Sequence, residues 1–140
     1  MKVEEGSLRR VTDGLLERAV KFHGHLGPFL VIGLKMGLYA EGLLGEEVSS
    51  CEVTSIKEKP PFCAVDGLKV AVGGEVKWSP GEGIEAVFYG GNKEKVELLV
   101  KRAIIDRYRS VRWEECESKA LEVLRESNQS LFEIKTGEQV

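Results

Sequence analysis

His23-Gly24-His25-Leu26-Gly27-Pro28-Phe29-Leu30-Val31-Ile32-Gly33-Leu34-Lys35-Met36-Gly37-Leu38-Tyr39 is the stretch on which the reading of this chain turns. Upstream of it, Leu8, Val11, Leu15, Ala19 and Phe22 recur at steps of three or four. That spacing predicts an amphipathic helix from Ser7 to Phe22, with Ser7 as a candidate cap and a stop near Gly24. Pro28 suits the first turn of a second helix, running to about Leu44. This second helix is apolar nearly all round and belongs in the core. Gly33 and Gly37 lie four apart within it. Each glycine there costs about 1 kcal/mol against alanine, so another element is expected to pack on that stripe.

Further along, Val48 to Lys57 alternates loosely and reads as a strand that Pro60-Pro61 ends. Phe62 to Val72 reads as a short helix. Gly73-Gly74 and Ser79-Pro80-Gly81 bracket a loop around Trp78. Ile84 to Tyr89 is a strand, Gly90-Gly91-Asn92 a turn, and Val96 to Val100 its hairpin partner. Trp113 to Arg125 has Cys116, Ala120, Val123 and Leu124 at helical spacing, and Leu131 to Lys135 fits a last edge strand. Helices first, then strands mixed with helices, give an α+β fold. One domain over 1–140 is expected, with N-terminal helices packed on a mixed or antiparallel sheet.

Composition narrows the function. The net charge is −3, and the densest basic stretch (Lys101, Arg102, Arg107, Arg109, Arg112) is diluted by Glu94, Glu97, Asp106, Glu114 and Glu115. It reads as a solvated face, so no nucleic-acid partner is expected. Three cysteines with no CxxC argue against a disulfide scaffold and a self-contained zinc finger. Cys51 on a strand and Cys116 on a helix face read as core. Leu26 to Leu44 is broken by charges and glycines, so a buried helix rather than a membrane span is expected. Met1 to Arg10 carries mixed charge and no signal-peptide pattern, which leaves the cytoplasm as the expected location. Heavy use of Glu, Lys, Arg and Val points to a thermophilic source.

The chemistry concentrates in few residues. His23 and His25 are the chain's two histidines. They fall on a helix-to-helix corner, with a glycine between them to let the rings converge. Neutral imidazoles suit Zn, Ni, Co or Fe; the bland alternative is a pair of histidines at a helix C-terminus, favoured there by the dipole. Cys63 lies in the first turn of the Phe62–Val72 helix, where the dipole lowers a thiol pKa and favours thiolate. Asp66, three residues on, projects from the same helical face. Two imidazoles and a thiolate make a three-ligand set with an open fourth position. A Cys–His nucleophilic pair is the competing chemistry, and a small buried hydrophobe the bland one for Cys63. Trp78, Phe88 and Tyr89 either wall a pocket or are core.

The motif His23-Gly24-His25-Leu26-Gly27-Pro28, followed by Gly33 and Gly37, closely resembles the opening of the FmdE family, named for its association with formylmethanofuran dehydrogenase. Phe62-Cys63-Ala64-Val65-Asp66-Gly67-Leu68-Lys69 resembles the family's C-x-x-D segment, in the same order and at a matching separation. The likeness is strong from about Leu15 to Gly74. It implies an α+β core, a homodimer, and a metal or reactive site at His23, His25 and Cys63 with Asp66 nearby. Cys63 and Asp66 are the catalytic candidates, although the resemblance names no reaction. The implied setting is one-carbon metabolism around a molybdenum or tungsten formylmethanofuran dehydrogenase, that enzyme being a candidate partner. A divalent transition metal is expected, zinc first and nickel second. No metal at all is the alternative, because the family's second cysteine falls on Gly74 here. In that case a non-metallic thiol-dependent enzyme or a small-molecule binding module sits on the same scaffold. No CxxC follows, so the C-terminal treble-clef zinc domain of many members is not expected.

Overall fold

The computed structural model describes residues 10–92 and 94–135. Its first helix, α1, spans Asp13–His23 and is capped by Thr12, whose hydroxyl accepts from the Leu15 N–H at 3.1 Å. Ser7 and Leu8 lie outside the described residues, and within them Thr12 holds the cap position. Helix α2 spans Pro28–Leu44, as its sequence requires. Its all-round apolarity has a physical cause, because it is buried on two sides. Leu30, Leu34 and Leu38 pack against Leu15 and Ala19 of α1, while Phe29, Ile32, Met36 and Ala40 join the larger core that includes the sheet.

Strand β1 (Ser50–Ser55) is followed by helix α3 (Cys63–Ala71) and strand β2 (Glu75–Pro80). β1 and β2 pair in parallel, with Ser50 opposite Glu75 and Ser55 opposite Pro80. The segment around Trp78 is thus an edge strand rather than the expected loop. Gly74 explains the pairing: a Cβ there would run into the Ser49 carbonyl, so the glycine lets the chain lie close beside β1. Pro80, which has no ladder donor to give, ends this edge strand.

Strands β3 (Ile84–Tyr89) and β4 (Lys95–Val100) form the expected hairpin. Helix α4 (Arg102–Tyr108), not anticipated in the sequence, buries Ile104, Ile105 and Tyr108 under the basic stretch. A 3-10 turn (Trp113–Glu115) leads into α5 (Cys116–Arg125), then α6 (Asn128–Leu131) and edge strand β5 (Phe132–Lys135). The five-stranded mixed sheet has the order β2-β1-β3-β4-β5, so the fold is a single α+β domain. Lys35 of α2 fixes α5 from below. Its ammonium donates to the carbonyls of Val123 (3.2 Å), Leu124 (3.1 Å) and Glu126 (2.5 Å) at that helix end, where the Val123 carbonyl also accepts the Glu126 N–H.

Candidate functional site

The site is built where α1 ends and α2 and α3 begin. Gly24 adopts φ +114, and its N–H closes on the Val20 carbonyl at 2.7 Å. This left-handed residue, natural to glycine, ends α1 on His23 and swings the chain out through His25 toward Pro28. Gly27 leaves room for the His25 ring, whose Nε2 would stand 3.3 Å from a Cβ at that position. The α2 start is brought beside the α3 start by a glycine crossing. A Cβ on Gly33 would strike the Ala64 carbonyl, one on Gly67 would strike the Leu30 carbonyl, and one on Gly37 would approach the Ala71 Cβ at 2.7 Å. From the Gly33–Ala64 approach to the Gly37–Ala71 approach residue numbers rise on both helices, so α2 and α3 run in the same sense and open at the same end. Because α3 crosses over between parallel β1 and β2, that end lies beyond the carboxyl end of β1. In open α/β sheets this is where ligands are bound.

The crossing delivers one direct contact. His23 Nδ1 donates to Asp66 Oδ2 at 2.7 Å, across 43 residues of chain. The His23 side chain is 6% exposed and Asp66 is 31% exposed. A carboxylate only accepts, so the bond places a proton on Nδ1. In the neutral ring, Nε2 then carries the lone pair, and no described residue bonds to it. His25 stands beside His23, ring centroids 5.1 Å apart. Its other neighbour is Trp113, at 4.7 Å and tilted by 38°. Burial pushes the His25 pKa down, with His23 and Lys59 adding to the effect.

Cys63 is the first residue of α3, with its N–H on the Pro60 carbonyl at 2.9 Å. Its thiol pKa is nevertheless raised rather than lowered, which corrects the expectation from the helix dipole. Burial is the main cause, because Cys63 is only 8% exposed and packs into the main core. The nearby Lys59 charge opposes the shift, and Asp66 and Cys116 reinforce it. Among the described residues no hydrogen bond joins the thiol to either imidazole. Cys51 is core, its thiol pushed up to about 12 by burial and Glu52. Cys116 is half-buried instead of core, because it opens α5 on the Trp113 side of the site. Gly74, the position of the expected second sulfur, lies nine helical residues and a turn away from Cys63, at the opposite end of α3. At about 1.5 Å per residue that helix alone separates them by roughly 13 Å.

The aromatic residues scatter. Phe88 is interior, and Tyr89, on the outward face, donates to Glu52 at 3.4 Å. Trp78 meets Phe62 edge-on at 5.3 Å and donates from Nε1 to Ser55 Oγ at 2.9 Å. Two site residues, Lys59 and Trp113, escaped the sequence reading. Trp113 precedes Cys116, Ala120, Val123 and Leu124 at a spacing that fits a buried stripe, so nothing local distinguishes it from core.

A sequence profile described as "FmdE, Molybdenum formylmethanofuran dehydrogenase operon" matches residues 22–136. The chain belongs to the FmdE family. This FmdE chain is also similar to a protein of Archaeoglobus fulgidus named as a probable S-adenosyl-L-methionine-binding protein, with 35% identity over 75 residues. The match takes in 50% of the FmdE chain but 20% of that relative, so the chain spans about a fifth of its length. No helix among the described residues is long and apolar enough to cross a membrane.

The donor chemistry of the FmdE site suits a transition metal in part. His23 is oriented by a carboxylate and offers Nε2, the usual outer-shell arrangement of a ligating histidine. Convergence is the missing element. Among the described residues, no three His, Cys, Asp or Glu side chains form a group that holds a metal as they stand. The His25 ring lies beside the Trp113 indole instead.

Proposed function

We propose that this FmdE chain acts through its HGH corner, binding a divalent transition metal with His23, His25 and Cys63. Zinc is the first candidate and nickel the second. The setting is one-carbon metabolism of the formylmethanofuran dehydrogenase type, with a molybdenum or tungsten enzyme as partner, a homodimer as the assembly and the cytoplasm as the compartment. The family's operon association supports that setting. The observation that carries the metal reading is the 2.7 Å bond from His23 to Asp66. It orients the ring, fixes its tautomer and leaves Nε2 to a ligand. Asp66 is thus a positioning residue. His25 completes the set by turning off Trp113, and Cys63 by giving up its proton. A bound cation lowers the pKa of a coordinating thiol, which offsets the burial that now raises it.

Metal analysis after zinc or nickel loading tests this. Near-stoichiometric metal is expected in the native chain and a strong loss in His25→Ala. A native chain that takes up only trace metal overturns the reading.

A second reading, a small-molecule binding module on the same scaffold, draws on the name of the Archaeoglobus relative. The thiol-enzyme alternative is disfavoured, because Cys63 is buried with its pKa raised. Rapid alkylation of Cys63 at mildly acidic pH in the metal-free protein would restore it.

A further inference from the structure

We infer that Trp113 is a stacking platform for a planar heteroaromatic group of a ligand whose remainder reaches across His25 toward His23. The inference rests on the reading of the HGH corner as a ligand site and extends it to an anchor outside the motif.

At 71% exposure Trp113 is the most open large hydrophobic side chain among the described residues. Its backbone is nevertheless held in place. One side of the indole meets His25 at 4.7 Å, which leaves the rest of its surface open. The backbone beneath it is a 3-10 turn closed by the Glu115 N–H on the Arg112 carbonyl at 2.8 Å. That turn runs straight into α5, which is anchored by buried Ala120 and Val123 and gripped by Lys35. An exposed aromatic ring beside His25, and through it beside the His23 Nε2 that no described residue bonds, suits recognition better than packing.

The surroundings decide the occupant. Arg112, Glu114 and Glu115 are the chain neighbours of Trp113 and are exposed. A stable protein interface takes about 800 Å² per partner around an apolar centre, which one indole among charges does not offer. Ring stacking needs only the one face, and indole prefers offset planar partners. A planar heterocycle is the occupant that fits.

The test uses the full chain carrying Trp78→Phe, which leaves Trp113 as its one tryptophan. Adenosine 5′-monophosphate, riboflavin and ribose 5-phosphate are titrated up to millimolar concentration. Emission and calorimetry follow binding, and zinc uptake is measured in parallel. Saturable quenching by at least one of the two aromatic probes is expected, without competition from the sugar phosphate. Trp113→Ala then weakens binding about tenfold or more, and Trp113→Phe retains most of it. Absence of saturable binding by both aromatic probes overturns the inference, as does equal binding by Trp113→Ala. An emission change with protein concentration alone, marking a second copy over the indole, also overturns it. If probe binding fails while zinc is still taken up, the platform falls and the metal reading stands. The reverse result removes the metal reading alone.

Discussion

Gly67 faces Gly33 so closely that a Cβ on Gly67 would stand 2.9 Å from the Gly33 Cα. The two glycines set the height of α3 against α2, and hence the position of Asp66 against His23. Gly67→Ala forces backbone apart at the crossing and is expected to cost about 1–3 kcal/mol. The urea midpoint should fall accordingly, and Gly67→Val should fall further or fail to fold. An unchanged midpoint in Gly67→Ala would show that the helices slide without penalty.

Asp66→Asn keeps the size of the residue and removes its charge. With zinc as the ligand, the affinity is expected to drop about 10- to 100-fold, the usual effect of losing an orienting carboxylate. The thermal midpoint of the metal-free protein should move little, since Asp66 is partly exposed. Isothermal titration of both proteins decides this. Equal zinc affinity would mean that the carboxylate is structural only.

Lys35→Met keeps most of the apolar stem and removes three donors from the end of α5. Charge-assisted bonds of this kind are worth about 1.5–3 kcal/mol, and the stranded carbonyls add a desolvation penalty. A stability loss of about 2 kcal/mol is expected, with faster hydrogen exchange concentrated in the last turn of α5. A uniform change over the whole chain would contradict a local clamp.

The His25 pKa lies below its ordinary 6.5 because burial and two neighbouring groups disfavour the imidazolium. Between 6.5 and the lowered native value, the unfolded chain binds the proton and the native chain does not. Stability from this residue is therefore lost as the pH falls through that window. In Trp78→Phe, protonated His25 quenches the adjacent Trp113, so emission should fall at a midpoint below 6.5. His25→Gln should flatten that titration, and a midpoint above 6.5 would reverse the sign.

Much of the fold was legible because its strongest signals are local. The α2 boundaries follow from Pro28 and the apolar run, and the Gly33/Gly37 stripe announced a packed neighbour that proved to be α3. β2 was missed because glycine and proline read as loop markers, whereas here Gly74 serves close approach and Pro80 ends an edge strand. α4 was missed because seven residues under a basic surface bury only three side chains. At the site, the motif placed His23, His25, Cys63 and Asp66 at one end of the fold. The His23–Asp66 bond depends on helix crossing, and the Cys63 burial on the core behind it. Trp113 reaches the corner from a distant element, a proximity that no spacing encodes, and Lys59 arrives in the segment that leads into α3.

His23 is the final residue of α1, so whatever grips its imidazole holds an entire helix as well as a side chain. α1 otherwise rests on a small cluster, Leu15 and Ala19 with three leucines of α2 and with Val70 and Ala71 of α3. Occupancy of the corner and docking of this outer helix are thus thermodynamically linked, and each strengthens the other. If the proposed site is filled, this outer helix would dock more firmly with it, a change measurable far from the binding atoms as slower hydrogen exchange in α1.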